Sequence, residues 1–474
     1  MKVVLTTSPR AEGDLERGGL PFLGIGYIGS WLEKHGYNVK ITDPHNLNWD
    51  TEKAFKEILN YKPEAVGIAS TTDNRFKAID LIKKLRENNP DLLIFAGGPH
   101  FTMTARDALE KIPELDVIVK REGEIPTKEL LDDFQANGNF KDIKGIFYRD
   151  RKGGIIENPD QPFVEDINIF SLNWKLFDIE KYNRNIDGTN IRAIGVISSR
   201  GCPNKCVYCV NAAFRKGFFR LRSPIKFVDE IEFLKREYGF KGFDLWDDTL
   251  TISKNHVELI CNEILKRKLD IIWYARARVN TVDKELLSLM KKAGCIRISY
   301  GIESGSPRIL RAIKKNITIE QAKEAVKLSS EVGMAVVTNF MVNLPYETRG
   351  DLKMTANLMK ELRQNKNSYP AYGFSIPYPG TEMELIARKE GILSENFSWN
   401  SHYRNKKYKI AGTDPSLPLM EWQGAEIEKV KAFMSRELGF RGGILKKGLR
   451  KIKKVKSIKE LRELAKTAIN YIKN

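Results

Sequence analysis

The chain contains no run of 18 apolar residues, so hydropathy offers no membrane-spanning helix. Its opening residues, MKVVLTTSP, lack the apolar stretch and small-residue cleavage site of a secretory signal and read as a first strand. A cytoplasmic protein is expected. Cysteine is scarce, five in 474 residues, too few for a disulfide framework. No P-loop is present, which argues against ordinary P-loop nucleotide binding. No internal repeat or low-complexity tract appears. What remains is a globular composition, 42% hydrophobic and 30% charged, long enough for two or three domains, with a net charge of +18.

Three of the five cysteines crowd into SSRGCPNKCVYC as Cys202, Cys206 and Cys209. In a reducing compartment such crowding signals metal or redox chemistry. A structural zinc site needs a fourth Cys or His, and the nearest downstream histidine is His256. A cuboidal iron–sulfur cluster held by three thiolates leaves one iron open for a substrate or cofactor. Cys261, in a helical pattern, and Cys295, at the start of a strand-like run, read as small core residues.

From 191 to about 390, strand-like and helix-like segments alternate, the mark of βα units and a parallel sheet. RAIGVISS, KGFDLWDD, IIWYARARV, IRISYGIESGS, MAVVTNFMVNLPYET and AYGFSIPYPGTEM supply six strands, enough for a partial TIM-type barrel. Ser223 and Pro224 mark a helix start. Polar residues gather at the strand C-termini, where barrels build their sites. Arg276 and Arg278 could hold a carboxylate or phosphate, and alternation sends both to one face.

The cysteine spacing with Tyr208 before the last cysteine, followed in order by WDD, GIESGS, LPYET and PYPGT, resembles radical S-adenosylmethionine enzymes, and among them the cobalamin-dependent branch. The resemblance implies a 4Fe–4S cluster on Cys202, Cys206 and Cys209 as the catalytic centre. Its open iron would chelate S-adenosylmethionine, whose cleavage releases a deoxyadenosyl radical. By the same resemblance, Tyr208, Asp247, Asp248, Glu303, Ser304 and Asn339 are candidates for binding S-adenosylmethionine. The bland alternative for the acids is a helix cap or a solvated strand end, and Glu347 could simply cap the following helix.

Residues 1–150 read as a doubly wound, Rossmann-like α/β unit, whose ligands sit beyond the strand C-termini. Those ends carry Thr71 and Thr72, then Gly97, Gly98, Pro99 and His100, then Glu122 and Gly123. Small and hydroxylated residues there allow close approach of a bulky ligand such as a flavin, nucleotide or corrin. PFLGIGYIGSWLEKHGYNVKITD and GGPHFT resemble the cobalamin-binding domain fused to many radical S-adenosylmethionine enzymes, which implies cobalamin on those residues. The family's DxHxxG is absent. Asp43-Pro44-His45 is similar, but Asn48 replaces the glycine and the triplet follows the second strand. His45 therefore reads as a loop residue, with His100 as an alternative axial candidate.

Residues 151–190, rich in Pro, Asn and Asp with interspersed aromatics, form a linker, 191–390 the barrel, and 391–474 a mostly helical basic region. Residues 441–474 hold 12 Lys and Arg against 2 Glu, net +10, beside an apolar stripe at helical spacing from Leu445 to Ile472. That pattern fits peripheral docking on an anionic membrane or packing on the barrel. The functional expectation is a methyltransferase that moves a methyl group from methylcobalamin to an unactivated carbon of a small-molecule or lipid-type substrate. Ring closure or rearrangement without net methylation is the alternative. An electron donor such as flavodoxin or ferredoxin is implied. RNA modification, suggested by the basic charge, is disfavoured by the cysteine-free N-terminal unit and the helical tail.

Overall fold

The computed structural model describes residues 1–10, 19–404, 416–422 and 426–439. Seven strands make the first sheet: β1 (Lys2–Thr7), β2 (Asn38–Thr42), β3 (Ala65–Ala69), β4 (Leu93–Gly97), β5 (Val117–Val119), β6 (Ile146–Arg149) and β7 (Ile155–Glu157). They lie in the order β2-β1-β3-β4-β5-β6-β7, and the first five are parallel. Runs such as VVL, AVGIA and LLIFA are buried on both faces, as a sheet covered by helices on each side requires. One apolar core lies on each face of this sheet. Strand order reverses between β1 and β3, so the crevice for a ligand opens at the C-terminal ends there.

The final hairpin departs from the expected boundary at 150. β6 runs antiparallel to β5, and β7 extends the sheet to Glu157. Asn158 then ties the edge down by donating to Phe140 O and Ile143 O at 2.8 and 2.7 Å. The segment after Asn158 carries aromatics that pack between the two sheets. Phe170, Trp174, Phe177 and Tyr182 join Leu23 and Tyr27 of the first domain in one core with the barrel wall.

The second sheet is built from β8 (Ala193–Val196), β11 (Gly242–Leu245), β12 (Ile272–Ala277), β13 (Cys295–Glu303), β14 (Ala335–Val342) and β15 (Ser368–Phe374), all parallel and in sequence order from β8 to β15. A short ribbon of β9 (Ser199–Arg200) and β10 (Arg220–Leu221) flanks the cysteine loop. Six strands leave the barrel open along one side. Alternate residues, including Val196, Phe243, Ile298, Val336 and Phe340, pack outward against the helices. Cys261 and Cys295 lie in this core, both fully buried, as expected for packing residues. Ser223 caps its helix through the Lys226 amide, with Pro224 in the first turn. At the floor, Ile186, Ala193 and Tyr274 cluster, and the Tyr274 hydroxyl accepts from Asp187 N at 2.9 Å.

The described part of the C-terminal region is a strap more than a separate unit. Arg75 donates to Trp399 O at 2.6 Å, Asn400 donates to Asp107 at 2.8 Å, and Asn343 donates to Met420 O at 2.6 Å. One helix, Ile427–Glu437, follows. The basic stretch 441–474 lies outside the described residues.

The two domains are locked by ion pairs. Glu122, after β5, meets Arg220 at 2.5 and 2.9 Å and also Arg215, while Arg200 meets Glu124 at 2.6 Å. The Arg220 side chain is 4% exposed. Removing one partner of a buried pair strands the other's charge, at about 3–5 kcal/mol. Glu122→Leu is therefore expected to lower the urea unfolding midpoint by an equivalent amount. A midpoint unchanged from the parent protein would show that the pairs add nothing.

Candidate active site

The cysteine loop is fixed by backbone hydrogen bonds from both sides. Val207 N donates to Ile313 O at 3.2 Å, and Met383 N donates to Val207 O at 2.9 Å. The loop is thus held between the turn after the helix Pro307–Ala312 and the start of the helix Glu382–Lys389. All three cysteines are free thiols. Asn204 Nδ2 donates to Cys202 Sγ at 3.2 Å, and Thr249 Oγ1 lies 3.7 Å from the same sulfur. Arg278 Nη1 stands 3.9 Å from Cys206 Sγ, which itself reaches Lys314 O at 3.7 Å. Burial, with smaller contributions from Cys206 and Asp248, pushes the Cys209 thiol up to about 11.

These features fit a multinuclear cluster. A buried thiol with a raised pKa gives up its proton to a metal that replaces the proton's charge. Donors aimed at the sulfurs favour the thiolate. Among the described residues, no three Cys, His, Asp or Glu side chains converge closely enough for a single ion.

Beside the loop, Tyr208, Glu303 and Lys315 form a triangle. Tyr208 OH donates to Glu303 Oε1 at 3.1 Å, and Lys315 Nζ lies 2.9 Å from that oxygen and 3.1 Å from the phenol. Glu303 has φ +73°, a strained conformation for a residue with a side chain, of the kind that clusters at functional sites. Gly301 makes room for it: a Cβ there would stand 2.4 Å from Glu303 Oε1 and 3.1 Å from Lys315 Nζ. Lys315 was invisible to sequence reasoning, because a contact 12 residues away across a strand–helix turn leaves no periodic signal.

Other expected residues are already engaged. Asp247 is 1% exposed and accepts from Ser198 N at 3.1 Å, from Ser198 Oγ at 2.8 Å and from Ser199 Oγ. It pins the end of β8 to that of β11 and has no room for a ligand. Asp248, in contrast, is exposed and accepts from Asn211. Ser304 is fully buried, paired with Thr355 Oγ1 at 3.2 Å and accepting from Ser306 N at 3.1 Å, so it shapes the turn instead of facing the site. Asn339 is exposed on the inner face of β14.

At the first domain's strand ends, Thr71, Gly97, Gly98 and Pro99 stay partly accessible. Gly98 has φ +83°, and a Cβ would stand 2.9 Å from Ser70 O, so the turn itself requires glycine. Thr72 and His100 are buried against each other at 3.3 Å, with His100 Nε2 at 3.0 Å from Asn400 Oδ1. Burial, then the Arg75 charge, pushes His100 down to about 3, so it is neutral and enclosed, not poised as an axial ligand. Glu122 is spent on the arginines described above, and a Cβ on Gly123 would collide with Ile28 at 2.7 Å. His45 sits in the turn after β2, 3.2 Å from Asn74, and Asn48 takes φ +55°, the left-handed conformation that glycine or asparagine tolerates.

A radical SAM superfamily model matches residues 196–359, and a B12 binding domain model matches residues 17–131. An uncharacterised methyltransferase of Pyrococcus horikoshii is 30% identical over 92% of this chain and 92% of its own length. The chain belongs to the cobalamin-dependent radical S-adenosylmethionine family. It is an enzyme whose family domains imply a 4Fe–4S cluster, S-adenosylmethionine and cobalamin, and whose family uses a small-molecule substrate and a reductant. An anaerobic magnesium-protoporphyrin IX monomethyl ester cyclase of Rubrivivax gelatinosus is 29% identical over 77% of this chain and 66% of its own length. In fold, the chain is similar to the radical S-adenosylmethionine methyltransferase TsrM from Kitasatospora setae, solved with cobalamin and a [4Fe-4S] cluster bound. The TM-score is 0.67, with 17% identity over 82% of this chain and 75% of that one. No helix among the described residues is long and apolar enough to cross a membrane.

Glu347 is not a plain helix cap. Its Oε2 accepts from Asn343 N at 2.7 Å and Leu344 N at 3.3 Å, Oε1 is buried with no partner in the protein, and burial pushes its pKa up to about 8. The cap is Thr348, in a box with Asp351. Because the folded state keeps the Glu347 proton that the unfolded chain releases, this group lowers stability as pH rises from about 4.5 to about 8. Glu347→Gln keeps the acceptor and removes that slope. Its unfolding free energy is expected to match the parent at pH 4 and exceed it at pH 8.5 by a few kcal/mol, at about 1.4 kcal/mol per unit.

Proposed function

We propose that this enzyme transfers a methyl group from cobalamin to an unactivated carbon of a small-molecule or lipid-type substrate. The observation that carries this reading is the tethered three-thiol loop at the barrel mouth, in one chain with a B12-binding domain. When bound, the cluster supplies the electron that opens S-adenosylmethionine, and cobalamin supplies the methyl group. Cys202, Cys206 and Cys209 would hold the cluster. Glu303 offers an acceptor for ribose hydroxyls or a counter-charge for the ammonium group, with Lys315 and Tyr208 orienting its carboxylate. Asp248 is a second open carboxylate for the same ammonium. Thr71, Gly97, Gly98 and Pro99 would let a corrin approach the backbone, and neither His45 nor His100 would serve as a lower ligand. Ring closure without methylation is the second reading, favoured by the cyclase relative. An external donor such as flavodoxin or ferredoxin would supply the electron.

Anaerobically purified protein should retain iron and cleave S-adenosylmethionine, and Cys206→Ala should lose both. Full cleavage by that variant would overturn the cluster assignment. Mass analysis of cobalamin-supplemented turnover then separates a product one methyl heavier from a cyclised one.

For the basic stretch 441–474, we propose reversible docking on anionic membrane. Each Lys or Arg near such a surface contributes about 1 kcal/mol. The full chain should float with anionic liposomes at low salt, whereas a chain ending at Phe440 should not. Equal flotation of the two would assign the stripe to packing.

A further inference from the structure

Closed eight-stranded barrels fill their interior with branched aliphatic side chains, whereas this six-stranded barrel is open along one side. Here the inward face carries Asp244 on β11, Arg276 on β12, Ser299 on β13 and Asn339 on β14, whose odd and even neighbours form the outer core. Arg276 combines a fixed orientation with unused donor capacity. Its Nη1 donates to Asp244 Oδ1 at 2.8 Å and Leu245 O at 2.6 Å, and Nη2 lies 3.5 Å from Asp244 Oδ2. Asp244 is 4% exposed, whereas the Arg276 side chain is 43% exposed. The floor below is closed by Ile186 and Tyr274, so that exposure opens into the barrel.

The fork is therefore oriented by a buried carboxylate, and its Nε–H has no acceptor among the described residues. Register places Trp246 beside it, two residues beyond the Asp244–Tyr274 pair. The Trp246 indole N–H is buried and has no partner either. Buried donors in native proteins almost always find acceptors, so the unmet Trp246 donor beside a half-exposed guanidinium calls for an acceptor-rich ligand. An oriented guanidinium also loses little freedom on binding, and its planar fork matches carboxylate and phosphate oxygens.

We propose that the substrate carries an anionic oxygen group, a carboxylate or a phosphate ester, and that Arg276 docks it inside the barrel with Asp244 as the positioning residue. This rests on the radical S-adenosylmethionine reading for what the barrel contains. The test does not, because it needs neither turnover nor S-adenosylmethionine. Full-length protein, at fixed ionic strength, is titrated calorimetrically with malonate in one arm and inorganic phosphate in the other. The arm that binds tells carboxylate from phosphate. Arg276→Gln should weaken that binding at least tenfold, and Arg276→Lys should recover only part of it, since Lys keeps the charge but not the fork. Arg276→Gln also leaves Asp244 buried without its partner, so Asp244→Asn/Arg276→Gln is measured alongside, with thermal melting to show that it folds. A folded double variant that binds the anion as tightly as the parent, or a parent that binds neither anion, overturns the proposal.

Discussion

Glu122 stands at the C-terminal end of β5, and its carboxylate reaches across the domain boundary to Arg215 and Arg220, which frame the cysteine loop from the other side. Both arginines are desolvated enough that burial pushes each down to about 10, so the pairing compensates a large penalty and cannot be loosened cheaply. Everything that faces the crevice depends on this lock. Two parallel sheets each present their C-terminal ends, and without a rigid clamp those ends would be independent of one another. Arg200 reinforces it through Glu124 and lies over the Tyr27 and Phe170 rings at 4.8 and 5.3 Å. Charge pairing and the aromatic linker thus act on one joint.

The described residues at Trp399–Asn400 and at 416–420 add a second constraint on the same joint. Arg75 is buried on the first domain, yet its donors are taken by Trp399 O, Thr72 O and Ser416. Asn400 bonds Asp107 and His100, and Tyr378 donates to Asp73 at 3.2 Å. These contacts fasten the C-terminal segment beside the strand ends of β3 and β4, and Thr71, Gly97, Gly98 and Pro99 stay partly accessible. They also explain why His100 is neutral and sealed: the space beyond its ring belongs to the strap.

Most strands were legible because their apolar runs are buried on both faces, which leaves a signal in a single sequence. The cysteine triad was legible because its spacing is local. β7 was not: IIE is short, half polar and an edge, and it becomes a strand only because β6 is there to pair with it. Asp247, Ser304, Thr72 and Glu122, expected as ligand contacts from the resemblance and from their places near strand ends, do lie near those ends. Their side chains are consumed by partners 49, 51, 28 and 98 positions away, separations that no pattern along the chain encodes. Lys315 was missed for the complementary reason: the partner that gives it meaning is spatial.

A strand end in this fold therefore has two uses, and burial decides between them. Where a polar side chain can reach a neighbouring element it is drawn into structure, since an unmet buried group costs about 1–3 kcal/mol. Where glycine or an opening in the sheet denies it such a neighbour, it stays available. Glu303 and Arg276 keep capacity even with partners: Gly301 leaves room around the Glu303 carboxylate beside Tyr208 and Lys315, and Arg276 stays 43% exposed beside Asp244. The cysteine loop follows the same rule in reverse. It is fastened through backbone groups, Val207 N and Val207 O, and the sulfurs are thereby spared from holding the loop in place. A reactive centre built this way can gain or lose an electron without its scaffold moving, because the bonds that position it are not the bonds that carry its chemistry.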